Sequence, residues 1–191
     1  MGKIEQIAEI PAVRQALDSF LAQQEKFLQT IIAVQQIPSP TFSEADRARY
    51  IESMFHLLGL ADVDQDGLHN VYGRFHGSNP KAQTPVIVSA HSDTVFAMDV
   101  DLEIRREGTM LRVPGVGDNS TGVAGLFAVA DAMRTYNIRP AADTWFVSYV
   151  AEEGLGDLAG MRAVVNKFGR QALYIVLEGG LFGQISHEAI G

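Results

Sequence analysis

The sequence has no cysteine. That absence excludes disulfides, thiolate nucleophiles and every zinc site built on sulfur. Any metal must then be held by histidine, aspartate or glutamate. Histidine is scarce at five residues, whereas acidic residues number 23. Basic residues are fewer, and 15 Lys and Arg leave a formal net charge of −8. This balance argues against nucleic acid and membranes as partners, because anionic surfaces recruit cationic proteins. Long apolar runs are missing too. The longest, residues 122–130, is far shorter than the roughly 20 residues a membrane-spanning helix needs. The N-terminus, MGKIEQIAEIPAVRQ, carries charges where a signal peptide needs an apolar segment. Gln6 stands where N-myristoylation wants Ser or Thr. A cytoplasmic protein is the resulting expectation.

What is present reads as globular: 47% hydrophobic and 20% charged residues over 191 positions. That length suits one domain, or one and a fraction, and buries roughly 70% of the unfolded surface. Residues 4–36 read as helix, broken or restarted at Pro11, with Leu17, Phe20, Leu21, Phe27, Leu28, Ile31 and Ile32 on one apolar face. Ile37-Pro38-Ser39-Pro40 ends it. Ser43 with Asp46 reads as a capping box opening a helix to about Leu58, stopped by Gly59. Residues 61–63 and 70–75 flank Asp66-Gly67 as a hairpin, and residues 102–105 and 110–113 form a second around Glu107-Gly108. Gly77 to Pro80 reads as a turn. Residues 85–90 are a continuous apolar run, the mark of a strand covered on both faces, and residues 144–151 read as another buried strand. Helices are expected over 120–136 and 157–168, with strands over 173–177 and, beginning at Gln184, up to Ile190. Long apolar strands alternating with helices point to a three-layer α/β/α domain around a mostly parallel mixed sheet.

Four segments carry candidate chemistry. In Ser89-Ala90-His91-Ser92-Asp93, alternation puts His91 and Asp93 on one side at a strand's carboxyl end, where ligands of open α/β sheets collect. A metal-bound imidazole usually gives its other N–H to a carboxylate, and His-x-Asp supplies both. In Gly115–Gly122, Asp118 precedes a helix whose N-cap is Asn119 or Ser120, leaving Asp118 free to face a site. The same loop lacks a Lys and a Gly at position 120, so it meets neither nucleotide fingerprint. Glu152 and Glu153 stand together at the end of an apolar strand, where like charges repel unless a cation joins them. As neighbours they cannot flank a glycosidic bond. Glu178 ends a further apolar strand. Such strand ends meet at one edge of a parallel sheet. A His and carboxylate set there suits zinc, with manganese or cobalt as alternatives.

With these motifs the chain resembles the dinuclear zinc exopeptidases and amidohydrolases that include peptidase T, carboxypeptidase G and aminoacylase. The matching elements are SAHSDTV, GVGDNSTGVAGL, AEEGLGDLAGMR and a strand ending LEGG, in the family's order and spacing. The resemblance implies that His91, Asp118, Glu153 and Glu178 are metal ligands, Asp118 bridging two zinc ions. It implies that Asp93 orients His91, that Glu152 is the general base, and that the Asp118–Asn119 peptide is cis. The implied reaction is hydrolysis of a terminal peptide or N-acyl amide bond by water activated between two cations. The substrate would be a small peptide or N-acyl amino acid. Members also carry an inserted lid domain, usually the dimer interface, and a later histidine ligand, neither of which is found in residues 1–191. His187 sits in the wrong segment for that ligand, and His56, His69 and His76 read as surface residues. Residues 1–191 are therefore expected to be the N-terminal part of a catalytic domain, weak or inactive alone, with an apolar sheet edge left uncovered. Two rivals compete: a non-catalytic binding or scaffolding module on the same fold, and a nucleotide-binding domain using the Gly115–Gly122 loop.

Overall fold

The computed structural model describes residues 2–79, 81–82, 84–179 and 184–186. The N-terminal helical region divides into α1 (Lys3–Ala8), α2 (Pro11–Ala22) and α3 (Gln24–Gln35). Pro11 opens α2 at its first turn, where a missing N–H costs nothing. The second break, at Gln23, was not expected. It turns the apolar stripe away from a single face: Ile31 is buried, but Leu17, Phe20 and Leu21 are exposed. The expected capping box is also absent. Helix α4 (Ala45–Leu57) begins after Glu44 with no side-chain cap, because the Glu44 carboxylate is engaged elsewhere. Gly59, at φ +73°, ends α4 as expected.

Strands β1 (Ala61–Gln65) and β2 (Val71–Phe75) pair antiparallel. Their connection is wider than a two-residue turn, because Asp66 Oδ1 accepts the N–H groups of Leu68 and Asn70. Strand β3 (Val86–His91) follows, then a separate two-stranded hairpin of β4 (Arg105–Glu107) and β5 (Met110–Arg112). Its first strand starts three residues later than the sequence suggested. A turn over 116–121 leads into α5 (Gly122–Thr135), then β6 (Thr144–Tyr149), α6 (Ala159–Phe168) and β7 (Leu173–Val176). Residues 184–186 have no regular structure, and the rest of the strand expected up to Ile190 lies outside the described residues, as do His187 and Pro80.

The main sheet has the order β1-β2-β6-β3-β7. β3 pairs in parallel with β6 and β7, and the two pairings toward β1 are antiparallel, so the sheet is mixed. Strand alternation divides the core between its faces. Val71, Val88, Ala90 and Phe146 pack with Ile51 and Phe55 of α4 and Val123, Leu126 and Phe127 of α5. Tyr72, Ile87, Val147 and Tyr149 pack with Val164 of α6 and with Phe168 at its edge. Helices thus cover both faces, giving the three layers expected. Each fully buried Phe, Leu, Ile or Val side chain contributes roughly 1.5–3 kcal/mol. This layering consumes β3 on both faces and leaves only its carboxyl end open to chemistry.

Candidate metal centre

Three parallel strands, β6, β3 and β7, end at one edge of the sheet. His91 closes β3, Glu152 and Glu153 follow β6, and Glu178 follows β7. Asp118 arrives from the turn before α5, through a cis Asp118–Asn119 peptide. The Asn119 side chain fixes that turn: Nδ2 donates to the Leu177 carbonyl at 3.0 Å and Oδ1 accepts the Gly122 N–H at 2.9 Å. Gly122 must lack a side chain, since a Cβ would meet Asn119 and lie 2.7 Å from the Leu177 carbonyl oxygen.

His91 is buried, with its two ring nitrogens facing different partners. Nδ1 lies 3.2 Å from the Asp93 carbonyl oxygen and 3.5 Å from its carboxylate. Nε2 lies 2.9 Å from Asp118 Oδ1 and 3.5 Å from Glu178 Oε1. His91, Asp118 and Glu153 each offer a ligand atom, all within 4.8 Å of one another. Tetrahedral zinc with bonds of about 2.0–2.2 Å holds its ligand atoms roughly 3.4 Å apart, so small side-chain adjustments close this set on a cation.

Asp93 is fully buried and satisfied on both oxygens. Oδ1 accepts the Glu152 N–H at 3.0 Å; Oδ2 accepts the Glu153 N–H at 3.1 Å and the Thr41 hydroxyl at 2.9 Å. Burial alone would raise its pKa, but His91 and these donors outweigh burial and hold it below the ordinary carboxylate value. Asp93 thus joins His91 to the loop that carries both glutamates.

The electrostatics ask for a cation. Burial lowers the His91 pKa, yet hydrogen bonding to Asp93 and Glu178, with their charges, raises it to about 10. Burial and the charge of Glu178 push Glu152 up, against the opposing effect of His91. Burial and Asp118 do the same to Glu153. Tyr149, its ring centroid 6.0 Å from that of His91, is held as a neutral phenol by burial and these same acids. Among the described residues no Lys or Arg ion-pairs with Asp118, Glu152, Glu153 or Glu178. Hard oxygen donors, one imidazole that can give up its proton, and no Lys or Arg countercharge fit a divalent metal.

The rival readings fare worse. The acids converge instead of scattering, as a bare scaffold would allow. The loop N–H groups a phosphate needs are engaged: Ser120 donates to the Gly115 carbonyl and Gly122 to Asn119. A groove of about 560 Å³ between α2, α3, α4 and α5 contains none of the site residues. His56 and His76 are exposed and His69 is half-buried, none at the site.

The profile of peptidase family M28 matches residues 70–180. The chain belongs to peptidase family M28. That span holds more than half of the M28 chain and all six candidate residues. No curated protein sequence matches it significantly. Similar solved structures include aminopeptidase PepT from Bacillus cereus, at 20% identity and a TM-score of 0.68, covering 81% of this chain and 43% of that one. A tripeptidase from Staphylococcus aureus aligns at 20% identity and 0.65, covering 82% and 44%. Human carnosine dipeptidase 1 aligns at 17% and 0.67, covering 88% and 41%. At these identities the likeness establishes the fold, that of a zinc-peptidase catalytic domain, and the resemblance to zinc exopeptidases stands. The M28 chain spans less than half the length of these structures.

Sequence reasoning missed the residues behind the site. Arg47 is buried and donates to the carbonyls of Ile37 and Ser92. Burial lowers its pKa to about 10, opposed by the charge of Asp93. Asn70, fully buried, accepts the Val150 N–H at 3.0 Å and donates to Asp66 at 2.8 Å. The only sequence signal for any of these was their proximity to Pro38-Ser39-Pro40 and Asp66-Gly67, read there as a helix stop and a turn.

Proposed function

We propose that the chain is the N-terminal part of the catalytic domain of a zinc-dependent exopeptidase that hydrolyses a terminal peptide or N-acyl amide bond. The observation that carries this reading is the convergence of His91, Asp118 and Glu153 at parallel strand ends, in a chain of a peptidase family. His91 and Glu178 would hold one metal ion, Glu153 the other, and Asp118 both. Zinc is favoured by the donor set, with manganese and cobalt also accommodated. When bound, the cations supply polarisation of the scissile carbonyl and make water acidic enough to attack near neutral pH.

The chain's own residues do the rest. Asp93 holds the His91 ring with Nε2 facing the site and, through two N–H groups, fixes the glutamate loop. Glu152 is the general base, taking the proton from the attacking water and delivering it to the leaving amine. Its raised pKa brings it nearer the range in which one group can do both. The substrate is a small peptide or N-acyl amino acid; the similar tripeptidase and carnosine dipeptidase are named for peptides of that size. Dimerisation through a lid domain, and the last histidine ligand, belong to a longer protein. Among the described residues no helix is long and apolar enough to cross a membrane, and a cytoplasmic setting is the compartment we favour.

The test is metal content. The purified chain, dialysed against trace zinc, should retain near-stoichiometric metal, and His91→Ala and Glu153→Ala should each lose it. Full retention in both variants overturns the site. The chain alone should hydrolyse dipeptides and tripeptides poorly, and robust turnover would refute the need for a further ligand.

A further inference from the structure

Glu44 has no part in the chemistry above, yet its carboxylate is buried at 3% exposure. It does not cap α4, and among the described residues it has no ion-pair partner. A buried carboxylate is costly unless something specific uses it. Its Oε1 accepts two backbone N–H groups, from Phe42 at 2.9 Å and from Ala151 at 3.1 Å. Ala151 immediately precedes Glu152 and Glu153. Its backbone is left-handed, φ +50°, a conformation non-glycine residues adopt only when their surroundings impose it.

Those surroundings are visible. The Ala151 carbonyl accepts the Ala159 N–H at 3.1 Å. Gly156 packs so tightly that a Cβ there would lie 2.6 Å from the Ala151 carbonyl. The three successive N–H groups of 151, 152 and 153 all end on buried carboxylates: the first on Glu44, the next two on Asp93. Thr41, three residues before Glu44, donates to that same Asp93. The segment before α4 therefore reaches both anchors of the glutamate loop.

We infer that Glu44 is a positioning residue for the metal centre, setting the turn at Ala151 that aims Glu152 and Glu153 into the site. This inference rests on the metallopeptidase reading. It adds a residue 107 positions from the loop it controls. Removing a carboxylate that orients metal-binding groups indirectly weakens metal affinity by about 10- to 100-fold.

The experiment is a cobalt titration of the full chain and of Glu44→Ala, Glu44→Met and Glu44→Gln. Cobalt absorption in the visible range reports ligand geometry independently of turnover. Met fills the space of Glu without an acceptor, so it carries the test if Ala fails to fold. Gln keeps an oxygen for both N–H groups and should rescue. The expected result is affinity lowered about tenfold with an altered spectrum in Ala and Met, and near-wild-type behaviour in Gln. Folding is checked by circular dichroism and by melting in chelator. A folded Met or Ala variant with wild-type affinity and spectrum overturns the proposal, even if its melting temperature falls, because a purely structural role predicts that. Wild-type chain that binds no cobalt overturns the metal reading and this role with it, so the two failures are told apart.

Discussion

Stripped of metal, the chain should lose stability as the pH rises above neutrality, and His91 sets the size of the loss. Its pKa moves from 6.5 unfolded to about 10 folded. The stabilisation is therefore complete below about pH 6.5 and disappears as the pH passes through 10. Between those limits the folded chain holds one proton more than the unfolded chain, so stability falls by about 1.4 kcal/mol per pH unit. Across the whole window the ceiling is about 5 kcal/mol. From pH 7.5 to 9.5 it is about 3 kcal/mol, or roughly 6–12 °C in melting temperature for a chain of this size. The lowered pKa of Asp93 is the same attraction felt by the other partner and is not added. Glu152 and Glu153, whose pKa values are raised, carry the same sign from the acid side. Zinc should reverse the slope, because the imidazole must lose its proton to bind metal. Thermal or urea unfolding between pH 6.5 and 9.5, in chelator and in excess zinc, reads both slopes. His91→Gln should flatten the curve measured in chelator. A flat wild-type curve in chelator, or a slope retained in His91→Gln, would refute the reasoning.

Two further outcomes test the scaffold. Asn70→Ala strands the buried Val150 N–H at the end of β6, and should cost about 1–3 kcal/mol in chemical denaturation; a loss under 0.5 kcal/mol would show that water replaces the amide. β7 pairs only with β3 among the described strands, and Leu173, Ile175 and Val176 are exposed along it. Ile175→Lys should reduce concentration-dependent light scattering while leaving the melting temperature within about 1 °C, whereas unchanged scattering would locate the sticky surface elsewhere.

The strands were legible because their physics is local. Residues 85–90 form a continuous apolar run, and a strand buried on both faces, as β3 is, needs one. The N-terminal helices were less so. Three- and four-residue spacing identifies an apolar stripe but not what covers it, and the turn at Gln23 sends α2 away from the surface that buries Ile31. The acids were legible as a group for a topological reason. Parallel strands point their carboxyl ends the same way, so His91, Glu152, Glu153 and Glu178, each at the end of an apolar run, must gather once the strands are known.

Glu44 shows where such reading fails. Ser43 with Asp46 carries the local signature of a capping box, and local propensity predicts that this pair satisfies α4, with Glu44 unremarked between them. The Glu44 carboxylate instead satisfies Ala151, 107 residues away. Helix α4 opens at half-buried Ala45 and exposed Asp46, and a lost cap costs about 1 kcal/mol. The Ala151 N–H is buried, and leaving a buried donor without its acceptor costs about 1–3 kcal/mol. The larger penalty decides where the carboxylate goes. A sequence displays the exposed demand, because it is adjacent, and hides the buried one, because only the fold creates it. The residues that hold a site in shape are therefore the least visible in its sequence, while those that face the cation, at the ends of strands, are the most.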